Sequence, residues 1–227
     1  VFRAYHDEKQ WEDVLDGTHR TCKALVAHGA KHLVLIDSIS ERRAPTAGRV
    51  NEAEQMSKEE WSSYRERITT SARIGAEEYG LTVGIHAHAA GFMDFEPELE
   101  RLLSEVDEEI LKICFDTGHH SYAGFDPVEF MQKYISRISY MHFKDIDPKV
   151  KQKVLDNRAG FYDACGQGIF CNLGDGDVDF PTVRKILLEN NFEGWCTVEQ
   201  DCDPLLDPNP LSDAQLNREY LETIGFK

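Results

Sequence analysis

Short apolar runs recur along the chain at helix-length intervals, and each closes on an ionisable residue. They are His32-Leu-Val-Leu-Ile-Asp37, Leu81 to His88, Ile110 to Asp116, Arg137 to Asp145 and Gly194 to Asp201. Between them, apolar residues fall at helical spacing. Val14, Leu15, Thr18, Cys22, Leu25 and Val26 mark a first helix. Trp61, Tyr64, Ile68 and Ala72 follow Ser57 and Glu60, which spell a capping box. Leu99, Leu102, Leu103 and Val106 mark a third helix, and Val128, Met131, Tyr134 and Ile135 a fourth behind Pro127. Val183, Ile186 and Leu187 belong to another, and a C-terminal helix is expected near 212–224 after a loop with Pro204, Pro208 and Pro210. Val1 to Tyr5 reads as the end of a further strand. Strands separated by helices pair in parallel through right-handed crossovers. No Gly-x-Gly-x-x-Gly turn follows a strand, which disfavours a dinucleotide-binding sheet and leaves an α/β fold of the (β/α) barrel type. Residues 38–56 read as a polar loop, and 147–177 as a long segment with a helical piece and a Gly-rich end at Gly174-Asp-Gly176.

In such barrels the chemistry sits at the C-terminal ends of the strands. Here those ends carry Asp37, His86, His88, Asp116, His142, Lys144 and Glu199. Strand side chains alternate, so Ile138, Tyr140, His142 and Lys144 are expected on one face and Ser139, Met141 and Phe143 on the other. Asp116, His142 and Glu199 come from three successive strands and converge on the barrel axis. Mixed carboxylate and imidazole donors suit Mn²⁺, Co²⁺, Zn²⁺ or Mg²⁺. His86 and His88 share a strand face, and one of the two is expected to be a core histidine held by a carbonyl. Lys144 either pairs with Asp116 or Glu199 or meets a ligand as an acid or base. His119 is placed to face the site from the loop after Asp116, and His120 reads as a loop residue. Asp37 reads as a cap or as a ligand for a substrate hydroxyl. Trp195 shares the face of Glu199 but lies deeper, and is expected to pack the core. Asp145 and Asp201 divide between support of the site and helix capping. Gly174-Asp-Gly176 reads as a turn, with a lid hinge as the alternative.

The 227 residues suffice for one large domain, and no Gly/Ser/Pro-rich linker divides them. A net charge of −16, from 41 acidic and 25 basic residues, excludes a general nucleic-acid surface. No apolar run reaches the roughly 20 residues a membrane span needs. Six cysteines without a Cys-x-x-Cys pair point to free thiols in a reducing compartment, the cytoplasm.

His86-Ala-His88, Phe115-Asp-Thr-Gly-His119, Tyr140-Met-His-Phe-Lys-Asp145, Leu173-Gly-Asp-Gly176 and Gly194-Trp-Cys-Thr-Val-Glu199 carry a resemblance. The chain resembles the xylose-isomerase-like TIM barrel superfamily, most of all its inosose dehydratase branch, over nearly its whole length. The resemblance implies a single barrel domain over 1–227 and a divalent metal, Mn²⁺ or Co²⁺ foremost with Zn²⁺ or Mg²⁺ as alternatives. It implies metal ligands His86, Asp116, His142 and Glu199, with His86 standing where the family's first Glu would be and His88 as its alternative. Lys144, His119 and Glu199 are then the catalytic candidates, and His88, His119, Lys144 and Asp37 the substrate-binding ones. The implied reaction is dehydration of a keto-polyol such as 2-keto-myo-inositol. The alternatives are a metal-dependent isomerase or epimerase of keto-sugars, or a non-catalytic sugar-binding or assembly subunit. A full barrel has eight strands and six are counted here, so the first two β/α units are expected to be lacking. An open barrel completed by a partner or another piece follows, with homo-oligomerisation through 147–177 as one route.

Overall fold

The computed structural model describes residues 1–203, 205 and 209–226, so Pro204 and Pro208 of the expected Pro-rich loop lie outside the described residues. The strands in chain order are β1 (Phe2–Arg3), β2 (His32–Asp37), β3 (Thr82–His86), β4 (Lys112–Asp116), β5 (Ile138–Phe143), β6 (Asp145–Ile146), β7 (Phe170–Cys171) and β8 (Trp195–Val198). The helices are α1 (Trp11–Ala27), α2 (Lys58–Arg73), α3 (Glu96–Glu105), α4 (Thr117–Tyr122), α5 (Pro127–Tyr134), α6 (Pro148–Asp156), α7 (Phe161–Gly166), α8 (Phe180–Glu189) and α9 (Pro210–Thr223). Six strands form one parallel sheet in the order β1-β2-β3-β4-β5-β8, with β1 and β8 at its edges. β6 and β7 make a separate antiparallel ribbon.

Alternation divides the sheet into two faces. Leu33, Leu35, Val83, Ile85, Phe115, Met141 and Phe143 point outward and are buried in the main core with residues of α2, α3, α5 and α8. The capping box at α2 forms as expected: Glu60 N donates to Ser57 Oγ, and Ser57 N to the Glu60 carboxylate. Arg43 anchors the 38–56 loop to α3. It is buried against the rings of Phe92 and Phe95 and donates to both oxygens of Glu98.

Four expectations are corrected. The Thr117–Tyr122 stretch, read as a loop, is the helix α4. The 147–177 segment holds two helices and a strand rather than a single helical piece. The strict alternation expected along 137–144 is broken by a register shift between Ile113 and Cys114, across which Ile138 pairs with Ile113 but Tyr140 with Cys114. This bulge turns Ile138 into the outer core while Tyr140 and His142 keep the inner face. Trp195 does not pack the core: it is 68% exposed, because β8 is an edge strand with a neighbour on the β5 side alone.

The outward face of the central strands is where the stability resides. Ile85 is fully buried among these side chains, and Ile85→Ala is expected to lower unfolding free energy by about 2–5 kcal/mol, measured by urea denaturation.

Candidate active site

At and just beyond the C-terminal ends of β3, β4, β5 and β8, His86, Asp116, His142, Lys144, Glu199 and Asp201 gather. Asp116 has two tasks. Its Oδ1 caps α4 by accepting the His119 N–H at 2.7 Å, which leaves Oδ2 for the cluster. That cap also sets His119 on the first turn of α4, facing the same centre.

Lys144 is the hub. It is 1% exposed, and its ammonium lies 2.9 Å from Asp201 Oδ2, 3.0 Å from Glu199 Oε2, 2.9 Å from His119 Nε2 and 3.5 Å from Asp116 Oδ2. Of these, Asp201 accepts a hydrogen bond from the ammonium, and Glu199 faces it as an ion pair. Lys144 Nζ and His119 Nε2 stand within hydrogen-bond distance, and Asp201 Oδ2 lies 3.3 Å from the same His119 nitrogen. Ala89 N donates to His119 Nδ1 at 3.4 Å. The Lys144 ammonium lies 4.9 Å from the centre of the Phe170 ring, and Phe170 and Phe161 flank His119. These two phenylalanines, from the 147–177 segment, wall one side of the pair with apolar surface.

A divalent ion fits the remaining donors. Among the described residues, His86 Nε2, Asp116 Oδ2 and His142 Nδ1 are buried without a hydrogen-bond partner. Asp116 Oδ2 lies 3.5 Å from His86 Nε2 and 3.6 Å from His142 Nδ1. Glu199 Oε2 lies 4.0 Å and 3.1 Å from the same two nitrogens, the shorter contact lacking hydrogen-bond geometry. Ligands each about 2.1 Å from one ion stand roughly 3–3.5 Å apart, so these atoms are spaced for sharing a cation rather than for bonding one another. His86, Asp116 and Glu199 also bring ligand atoms within 4.8 Å of one another together with His119. His119, however, is engaged by Lys144, whereas His142 Nδ1 is not engaged by any donor or acceptor.

Charge agrees with spacing. With neutral imidazoles, the carboxylates of Asp116, Glu199 and Asp201 against the Lys144 ammonium leave a net −2, the charge a divalent cation balances. Burial would raise the carboxyls of Asp116, Glu199 and Asp201. Lys144 and the imidazoles outweigh it, holding Asp116 and Asp201 well down and Glu199 at about 2. Burial pulls the Lys144 amine down, but Asp116, Glu199 and Asp201 outweigh it and hold it above its ordinary value. Burial likewise opposes charge on His142, yet the nearness of Asp116, Cys114 and Glu199 lifts it to about 12. Burial keeps His86 and His88 below their ordinary value.

A family model described as the xylose isomerase-like TIM barrel matches residues 3–224. The chain belongs to that family. It is 36% identical over 164 residues to an inosose dehydratase of Clostridium botulinum (strain Alaska E43 / Type E3), covering 72% of this chain and 54% of that protein. It is 32% identical over 197 residues to the rhizopine catabolism protein MocC of Rhizobium meliloti, covering 87% of this chain and 60% of that one. The chain thus spans about half the length of the curated relatives it matches. Among solved structures, the IolI protein with a bound zinc atom aligns with a TM-score of 0.70 at 17% identity, over 96% of this chain and 71% of that one. A D-tagatose 3-epimerase-like protein aligns with a TM-score of 0.61 at 18% identity, over 90% of this chain and 67% of that one. These similarities establish the xylose isomerase-like fold.

Within this family barrel, the structure brings together His86, His88, Asp116, His119, His142, Lys144 and Glu199. His86 ends β3 beside the two carboxylates. His88 lies past the strand end, where its Nδ1 donates to Ala89 O at 2.8 Å and its ring stacks 4.1 Å from that of His119. Asp37 stands apart. It shares the outward parity of Leu33 and Leu35, and its carboxylate accepts from His6 N, Phe92 N and the His6 ring. His120 is buried against Phe115 and Phe130 with Glu96 at 3.2 Å, away from the cluster. Asp201 is a member that the sequence left ambiguous; its parity with Glu199, two residues on, is the signal that finds it. Phe161 and Phe170 left no sequence signal, because their approach is set by tertiary packing. Cys22, Cys114, Cys165, Cys171 and Cys196 are thiols. Among the described residues no helix is long and apolar enough to cross a membrane.

Two measurements follow from the charges. A ligating imidazole must be neutral, so Zn²⁺ or Mn²⁺ binding at pH 7 is expected to release about one proton, from His142, read as buffer-dependent heat in titration calorimetry. Without the ion, the contribution of His142 to stability is full below its unfolded value near 6.5 and is lost as pH rises toward about 12. That of Glu199 is present above about 4 and is lost as pH falls through about 2. Asp37→Ala, by contrast, is expected to destabilise by about 1–3 kcal/mol in thermal unfolding, with metal affinity unchanged.

Proposed function

We propose that this site belongs to a metal-dependent hydro-lyase that removes water from a keto-polyol such as 2-keto-myo-inositol. The observation that carries the reading is the Lys144–His119 pair: a buried ammonium 2.9 Å from His119 Nε2, beside a donor set suited to a divalent ion. The named inosose dehydratases among the relatives support the choice of substrate. His86, Asp116, His142 and Glu199 are the ligands in this reading, and the ion they hold, Mn²⁺ or Co²⁺ foremost and Zn²⁺ or Mg²⁺ as alternatives, supplies Lewis-acid polarisation of the substrate carbonyl.

The protein's own groups then divide the work. In the tautomer that leaves Nε2 unprotonated, His119 Nε2 takes the proton from the carbon next to the carbonyl, and the released electron pair forms the new C=C bond. On the adjacent carbon the C–O bond breaks, and the departing hydroxyl takes a proton from the Lys144 ammonium and leaves as water. The enol that remains tautomerises to a second ketone. His119 has gained a proton and Lys144 has lost one, and at 2.9 Å the two reset by direct transfer. The raised pKa of Lys144 suits an acid and not a base. Glu199, held at about 2, is a weak base, which favours His119 for proton abstraction. His88 presents its Nε2 to substrate hydroxyls, since its Nδ1 is committed to Ala89 O. Phe161 and Phe170 keep water from the acid–base pair.

An epimerase on the same scaffold would need two bases facing each other across one carbon. The acid and base here are neighbours, which suits removal of H and OH from one face of two adjacent carbons. Incubation of the metal-loaded protein with 2-keto-myo-inositol is expected to yield an absorbing enol-dione product. Lys144→Met and His119→Asn are each expected to reduce kcat by about 10²–10⁴-fold. An epimeric ketone without the absorbing product would replace this reading with the epimerase. Turnover of no keto-polyol at all would favour a non-catalytic sugar-binding or assembly subunit.

A further inference from the structure

Lys144 lies between two strands: β5 ends at Phe143 and β6 begins at Asp145. The backbone at this junction is held from both sides. On one side Thr117 Oγ1 accepts from Lys144 N at 3.1 Å and donates to Lys144 O at 2.7 Å. Gly118 next to it makes room for the lysine stem, since a Cβ there would lie 2.5 Å from Lys144 Cγ. On the other side stands the Asp145 carboxylate, fully buried and accepting four backbone N–H groups. Oδ1 takes Ile146 N at 2.9 Å and Val178 N at 3.0 Å, and Oδ2 takes Gly174 N at 2.9 Å and Gly176 N at 3.2 Å. Gly176 allows the closure, because a Cβ there would stand 2.3 Å from Asp145 Oδ1. The turn that Asp145 gathers is tied further to α9, where Asn217 Oδ1 accepts from Leu173 N at 2.7 Å.

Four convergent donors on one buried carboxylate are more than a turn of this length requires. Asp179, by comparison, caps α8 with one backbone donor. All four partners of Asp145 lie in residues 146–178, and none belongs to the Lys144 cluster. Its effect on the ammonium therefore passes through the peptide that joins the two residues.

We propose that Asp145 is a positioning residue for Lys144: by locking the 174–178 turn onto the β5–β6 junction, it fixes where the lysine stem leaves the backbone. The catalytic consequence rests on the reading of Lys144 as the acid of the reaction, but the positioning itself does not, and the two can be tested apart. Competitive acetylation with acetic anhydride, read by mass spectrometry, reports the accessibility and basicity of each lysine. In the parent protein Lys144 should be strongly protected relative to the exposed Lys23. In Asp145→Asn, which places an amide against backbone donors, relative labelling of Lys144 is expected to rise about tenfold, with kcat falling about 10–100-fold and KM within about twofold. Lys112, half-buried at the N-terminal start of β4, should keep its labelling. If Asp145→Asn does not fold, Gly176→Ala presses on the same carboxylate from the other side and is expected to give the same selective rise. Unchanged labelling of Lys144 in a folded variant overturns the proposal, as does a rise shared equally by Lys112, which would mark general loosening. A selective rise in a protein that turns over no keto-polyol would support the positioning role and remove the proposed reaction.

Discussion

A buried ammonium is the constraint on which this structure turns. Placing Lys144 at 1% exposure removes its hydration, and removing one partner of such a buried charge costs about 3–5 kcal/mol. The compensation comes from three carboxylates delivered by different parts of the chain: Asp116 at the end of β4, and Glu199 and Asp201 beyond β8. Those ends meet only if the parallel strands hold their register, with Asp116 opposite His142 and His142 opposite Thr197. A slip of one residue would turn His142 and Lys144 into the helix-facing core. Strand register, core packing and site assembly are therefore one requirement, not three.

The same carboxylates overcompensate, and that excess suits the site to a cation. Asp116 is the best-defined member, because one oxygen is spent on the α4 cap and only the other turns to the cluster. A carboxylate held in this way cannot rotate to satisfy both histidines, so His86 and His142 keep unpartnered nitrogens aimed at a common point. Preorganised donors of this kind need little reorganisation when charge arrives. Glu199, with 39% of its side chain exposed, is the open side of the set and the natural approach for a substrate.

Much of this arrangement was legible in the sequence, because alternation and strand ends are local properties. Asp116, His142, Lys144 and Glu199 could be placed by counting from the apolar residues of their own strands. The same counting places Asp37 on the outward face with Leu33 and Leu35, where it clamps His6 and Phe92; its position at a strand end had obscured its parity. The features that escaped depend on distant partners. The Thr117–Tyr122 helix has no apolar periodicity and is started by the Asp116 side chain. The bulge opposite Ser139 depends on how β4 and β5 pair, and the exposure of Trp195 depends on which strand ends the sheet. The two-residue ribbon of β6 and β7 is too short to show any period, yet it brings Phe170 beneath Lys144.

On the proposed chemistry, the sign of one pKa shift bears on the reaction class. A lysine pushed down by burial alone would be a base, and with a second base opposite it the site would exchange a proton at a single carbon. Here the surrounding carboxylates reverse the effect of burial and keep Lys144 an ammonium. An ammonium hydrogen-bonded to a neutral imidazole forms an acid and a base already side by side, able to remove H and OH in concert and to restore themselves by one short proton transfer. That economy exists only while His119 Nε2 accepts from Lys144, and this in turn requires the stem of Lys144 to rise from a fixed point. The bonds of Thr117 and Asp145 to either side of it thereby join the second-layer architecture to the choice between elimination and epimerisation.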